Sequence, residues 1–214
     1  MKYFLYILVA LPIFLSGQEM PPFFEEVEAI EKKYDSLWDK SKETIVFTGS
    51  SSIRIWNDLE EMFPEHQIVN SGFGGSQASD LLNYCNKLIL KYKPKKVFIY
   101  EGDNDISVGK KSKEIIKDIL AIISEVRTQN SATKIVLISA KPSIARWNLK
   151  RNYKKLNRKF KKLSRKDADL LYVDVWKPML EKGKLKQDIF IEDGLHMNAK
   201  GYAIWYSTIK PYLE

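Results

Sequence analysis

A chain of 214 residues with 44% hydrophobic and 12% aromatic residues has the material for one substantial core, which excludes a disordered or low-complexity polymer. Its formal charge of +8 admits an acidic partner, although the excess is unevenly placed. The single cysteine, Cys85, excludes an internal disulfide, and two histidines are too few for a Cys/His zinc cluster.

The chain opens with Met1-Lys2-Tyr3, an apolar run from Phe4 to Leu15, and the small pair Ser16-Gly17. A charged start, an h-region and small residues at the processing point predict a signal peptide over residues 1–17. The run is short for a membrane span and Pro12 interrupts it, so no stable span is expected after processing. No cysteine follows the run, which sets a lipoprotein aside. The mature chain, residues 18–214, is expected to be one secreted or periplasmic domain.

Beyond that segment, short β-rich runs alternate with helical periodicity. The strands are expected at Thr44 to Thr48, Gln67 to Asn70, Lys96 to Tyr100, Lys134 to Ser139 and Leu171 to Val175. Helices are expected at Phe24 to Trp38, Ile53 to Met62, Ala78 to Tyr92, Ser112 to Thr128, Asn148 to Ser164, and from Asn198 to about Tyr212. Right-handed crossovers of this length give an α/β fold, a three-layer α/β/α sandwich around a five-stranded parallel sheet in the flavodoxin-like order 2-1-3-4-5.

Open parallel sheets bind ligands beyond the carboxyl ends of their strands. After the first strand stands Gly49-Ser50-Ser51-Ser52, after the second Ser71-Gly72-Phe73-Gly74-Gly75, and after the third Glu101-Gly102-Asp103-Asn104-Asp105. These loops offer hydroxyls, exposed backbone N–H groups and a side-chain amide, the parts of a nucleophile and an oxyanion hole. Each has a plainer reading. The serines can cap a helix, the glycines can serve a tight turn, and Asp103-Asn104-Asp105 can form an Asx turn or a hard-cation site. Gln77 stands where a dinucleotide fingerprint needs its third glycine. Arg54, Trp56, Arg146 and Trp147 can reach the rim of such a site, with packing and surface charge as their simpler roles.

The segment from Lys150 to Lys166 is densely basic. Leu149, Tyr153, Leu156, Phe160 and Leu163 recur through it at spacings of four and three, the apolar stripe of one amphipathic helix whose cations form the solvated face. A second reading gives that face to an anionic polymer. Near the C-terminus, Asp193-Gly194-Leu195-His196 sets a carboxylate three residues ahead of an imidazole, a pairing that can orient a general base. His66, in Pro64-Glu65-His66-Gln67, has no such partner and reads as a surface residue.

Taken in order, four segments resemble the blocks of the SGNH hydrolase superfamily, the GDSL-type esterases and lipases. Phe47-Thr48-Gly49-Ser50-Ser51-Ser52-Ile53 is similar to the first block, with Ser50 in place of the usual aspartate, and the resemblance implies Ser51 as nucleophile. Asn70-Ser71-Gly72-Phe73-Gly74-Gly75 resembles the second, implying Gly75 as an oxyanion donor and Asn70 as a supporting residue behind it. Gly102-Asp103-Asn104-Asp105 resembles the third, implying Asn104 as the side-chain donor beside the Ser51 amide, and Asp193 with His196 completes a triad with Ser51.

The resemblance implies a serine esterase that needs no cofactor and no metal and acts on acetyl or short acyl esters of carbohydrate or lipid. Its expected partners are a small-molecule or glycan ester and, through the 150–166 helix, an anionic polymer; nucleic acid is not expected. The competing reading is a non-catalytic module on the same scaffold, holding anionic polysaccharide or another polyanion through that helix.

Overall fold

The computed structural model describes residues 20–214, so the expected signal peptide at residues 1–17 lies outside the described residues. In chain order the elements are α1 (Phe24–Leu37), β1 (Thr44–Gly49), α2 (Ser51–Arg54), α3 (Leu59–Met62), β2 (Gln67–Gly72), α4 (Ala78–Asn83), α5 (Cys85–Leu88), β3 (Lys96–Tyr100), α6 (Asp103–Ser107), α7 (Ser112–Gln129), β4 (Lys134–Ile138), α8 (Lys150–Ser164), β5 (Leu170–Val173), a hairpin of β6 (Leu180–Glu181) and β7 (Lys184–Leu185), and α9 (Ala199–Ile209). Strands β1 to β5 form one parallel sheet in the order β2-β1-β3-β4-β5, the order expected from the sequence.

Both faces of the sheet are covered, and the two-residue period of the strands divides their side chains between two cores. Val46, Val97, Ile99, Ile135 and Leu137 pack with residues of α1, α4, α5, α7 and α8. Ile45, Phe47, Phe98, Val136 and Ile138 pack against α2, α3 and α9, where Trp56, Tyr202 and Trp205 form an aromatic cluster. In α8, Tyr153, Leu156 and Phe160 are buried and Leu149 and Leu163 pack beside them, as the stripe predicted. Each such side chain removed from water contributes about 1.5–3 kcal/mol.

Two expected helices are broken, in each case beside a contact with a distant segment. Between Ile53 and Met62 the chain turns to sink Trp56 fully into the core, and Asn70 Nδ2 donates to the carbonyls of Ile53 and Trp56, which also accept from the backbone N–H groups of Trp56 and Leu59. Trp56 is therefore a core residue, not a rim residue. Between Ala78 and Tyr92, Ser71 Oγ donates to the carbonyl of Leu88 at 2.7 Å, and the segment becomes α4, α5 and a 3-10 turn at Leu90–Tyr92. The Asp103 segment forms the short helix α6 instead of an isolated turn. Among the described residues, no helix is long and apolar enough to cross a membrane.

Candidate active site

The register aligns Gly49 with Gly72 on one side and Tyr100 on the other, so the loops after β1, β2 and β3 leave the sheet at one level. Gly49 has φ +122°, and a Cβ there would lie 2.0 Å from the carbonyl oxygen of Tyr100; only glycine permits this turn. Ser50 is buried and makes no capping bond with its side chain, although its carbonyl accepts from the N–H groups of Ile53 and Arg54. Ser52 is buried, and its carbonyl accepts a hydrogen bond from Tyr202 Oη at 2.9 Å. Ser51 opens α2 between them. Its Oγ lies 2.9 Å from His196 Nε2, across 145 residues of sequence.

The imidazole is held from its other side. Asp193 Oδ2 lies 2.5 Å from His196 Nδ1, while Asp193 Oδ1 accepts from the N–H groups of Leu195 and His196 at 2.8 Å each. Burial raises the Asp193 pKa, but the imidazole and the two N–H donors outweigh it and bring the carboxyl down to about 2. An Nδ1 proton shared with this carboxylate leaves Nε2 as the acceptor facing Ser51. Three further bonds anchor the turn: Ala145 N–H to the Gly194 carbonyl at 3.0 Å, Ile191 N–H to the His196 carbonyl at 2.9 Å, and Lys141 Nζ to the Leu195 carbonyl at 2.6 Å.

The loops that leave the sheet at the level of Ser51 carry unspent donors. Among the described residues, the backbone N–H groups of Ser51 and Gly75 donate to no other group. Gly75 has φ +69° with open space where a side chain would stand. Asn104 Nδ2 donates to the Ser76 carbonyl at 2.9 Å, which ties the second and third loops together and leaves one amide hydrogen free. Asn70 supports the set from behind through its bonds to α2, and it accepts from the Gly72 N–H at 3.1 Å. Glu26 on α1 accepts from the Gly74 N–H at 3.0 Å and pairs with Arg54 at 3.4 Å; Arg54 thus braces the second loop.

Sequence reasoning missed the buried charge network under these loops. Asp103 is buried among Tyr100 Oη at 2.9 Å, Tyr153 Oη, Arg146 Nη1 at 2.6 Å and Lys141 Nζ at 3.6 Å. Burial pushes its carboxyl up, but Lys141 and Arg146 outweigh that and hold it ionised, below its ordinary value. Arg146 also reaches Asn104 Oδ1, so it is neither simple packing nor surface charge. Lys141 is fully buried; the signal in the sequence was a lysine three residues past the apolar run of β4, at the carboxyl edge of the sheet. Glu101 is buried beside the same loops, with Ser76 Oγ donating to it at 2.7 Å. His66 lies half-buried in the turn before β2, at the opposite edge of the sheet.

An Nε2 that accepts, a hydroxyl within hydrogen-bond distance and free N–H donors on the neighbouring loops can deprotonate the hydroxyl and receive negative charge on a nearby oxygen. Comparison with known proteins finds similarity to acylhydrolases. A family model described as the GDSL-like Lipase/Acylhydrolase family matches residues 35–204. A protein of Streptococcus pneumonia, assigned provisionally as a platelet activating factor, is 27% identical with a TM-score of 0.77, over 89% of this chain and 94% of that one. A provisionally assigned acylhydrolase of Bacteroides fragilis is 20% identical with a TM-score of 0.76, over 89% and 96%. A GDSL-like lipase of Bacteroides thetaiotaomicron is 19% identical with a TM-score of 0.72, over 86% and 96%. No curated protein matches the chain in sequence.

Proposed function

Because the chain belongs to the GDSL-like lipase/acylhydrolase family, we propose that it is a serine esterase working through an acyl-enzyme, with Ser51 as nucleophile. The observation that carries this reading is the continuous relay from Ser51 Oγ to His196 Nε2 at 2.9 Å and from His196 Nδ1 to Asp193 Oδ2 at 2.5 Å. His196 takes the proton of Ser51 as Oγ adds to the ester carbonyl, and Asp193 orients the ring and balances the imidazolium. The N–H groups of Ser51 and Gly75 and the free hydrogen of Asn104 stabilise the oxyanion, each lowering the barrier by about 3 kcal/mol. His196 then protonates the departing alcohol. Water, deprotonated by the same imidazole, attacks the acyl group and releases Ser51.

Short acyl groups suit the chain's length, because 214 residues, some of them spent on the expected signal peptide, leave little material for a lid over a deep acyl tunnel. A fluorophosphonate probe followed by peptide mapping tests the nucleophile. Labelling is expected at Ser51; labelling at Ser50 or Ser52, or none, overturns the assignment. The N-terminal sequence supports a place outside the cytoplasm. Mass spectrometry of the exported protein is expected to find its first residue near Gln18, and an unprocessed chain retained in the cytoplasm refutes that part.

A further inference from the structure

The chain holds 35 Lys and Arg against 27 Asp and Glu, yet ten of the cations and none of the acids fall between Lys150 and Lys166. The rest of the chain therefore carries a slight acidic excess, and the positive charge belongs to α8 and its end. None of these ten pairs with a carboxylate among the described residues. A solvated face accounts for exposed lysines, but it does not account for the groove beside them. Lys154, Arg158 and Lys161, at helical spacings of four and three, form one wall of a groove of about 370 Å³, with Tyr172, Trp176 and Lys177 on the other side. Asp174, the one carboxylate lining it, accepts at Oδ1 from the backbone N–H groups of Trp176 and Lys177.

The groove runs toward the relay. Trp176 stacks on Trp147, with ring centroids 6.1 Å apart and planes 13° apart. Lys154 lies 5.9 Å from the Trp176 ring and Lys150 lies 4.8 Å from that of Trp147. Trp147 and Ile144 line a second cavity of about 440 Å³, and the neighbouring Ala145 is bonded to Gly194 in the turn that carries His196. Cations, apolar walls and the relay thus follow one another along a single edge of the molecule.

We propose that this groove binds an acidic polysaccharide and leads its acyl esters to Ser51. The choice of polymer rests on the esterase reading, since a chain bearing both anionic groups and carboxylic esters is a substituted acidic glycan and not a nucleic acid. A membrane fits the surface less well. The apolar stripe of α8 is spent on the core, and of the large apolar residues exposed among the described residues Met20, Leu37, Val108, Leu120 and Ile191 lie outside α8 and both cavities, while Ile144 alone lines the second cavity.

Binding is measured on the full chain carrying Ser51→Ala, with polygalacturonate, neutral galactan, phosphatidylglycerol vesicles and oligothymidylate as probes. Polygalacturonate is expected to bind best and to weaken about tenfold or more between about 50 and about 200 mM salt. The combined variant Lys154→Glu, Arg158→Glu, Lys161→Glu is expected to lose about tenfold or more of that affinity while melting like the parent, and the Lys154→Arg, Lys161→Arg variant to keep it. Undiminished binding by the charge-reversed chain, or tighter binding to vesicles, oligothymidylate or galactan, overturns the proposal. Acetate release from acetylated polygalacturonate by the chain with Ser51 intact separates the two readings. Groove binding with no hydrolysis of any ester counts against the esterase, and hydrolysis of nitrophenyl acetate without groove binding counts against the groove alone.

Discussion

Both terminal nitrogens of Arg146 converge on the side-chain oxygen of Asn104, each at 3.1 Å. With Oδ1 held there and Nδ2 donating to Ser76, the amide has one orientation and its remaining hydrogen one direction. A lysine at 146 keeps positive charge near Asp103 but lacks the planar fork. Arg146→Lys is therefore expected to lower kcat on nitrophenyl acetate about tenfold, or about 1.4 kcal/mol, with little change in KM and a melting temperature within a few degrees of the parent. An unchanged kcat would show that the fork does not position Asn104.

Ser51→Ala and His196→Ala are each expected to remove most turnover of a short nitrophenyl ester and to leave the circular dichroism spectrum unchanged. Asn104→Ala is expected to cost about 100- to 1,000-fold in kcat, the range for loss of one oxyanion donor. Wild-type turnover in either of the first two variants contradicts the relay.

Asp193 gives a pH signature. Its carboxyl titrates at about 2 in the folded chain against an ordinary value of 3.8, so its contribution to stability is complete above the ordinary value and fades as pH falls toward about 2. The carboxylate is 41% exposed, so solvent screening keeps the effect to about 1 kcal/mol or less. The melting temperature of Asp193→Asn is expected to lie below that of the parent at neutral pH and to meet it in strong acid. A gap that does not narrow on acidification would be the contrary result.

Glu101 has the opposite sign. Burial pushes its carboxyl well above the ordinary value of 4.5, with Asp105 and Asp80 adding to the rise. The folded chain keeps a proton that the unfolded chain releases, so stability declines as pH rises past the ordinary value. Glu101→Gln retains an acceptor for Ser76 Oγ and removes this titration. It is expected to melt close to the parent near pH 4 and above it near pH 8, as followed by thermal denaturation at both values; a constant difference would refute the buried neutral carboxyl.

Much of this was legible in the sequence because strand periodicity and post-strand loops are local signals. The layering followed from five apolar runs joined by helix-length crossovers, the strand order was the flavodoxin-like one that five such strands fit, and Ser51, Gly75 and Asn104 stood just past three of those runs. The interruptions of the helices were hidden because they depend on contacts between distant segments, such as Asn70 with Ile53 and Ser71 with Leu88. Lys141 was hidden for a related reason: nothing near it in sequence shows that Asp103 will face it inside the protein. Trp56 followed the period of a helix, but an aromatic core claimed it.

Ser51 and His196 come from opposite ends of the described chain, and Tyr202 on the last helix closes onto Ser52. A growing polypeptide holds its hydroxyl and its oxyanion donors well before it holds an imidazole beside them. On the proposed mechanism it passes through synthesis with an inert serine and gains its activity only when the Asp193–His196 turn docks beside Ser51. On that mechanism the return of turnover during refolding therefore times the arrival of the turn that carries His196, and a truncation that removes residues from 193 onward is expected to leave a chemically ordinary serine.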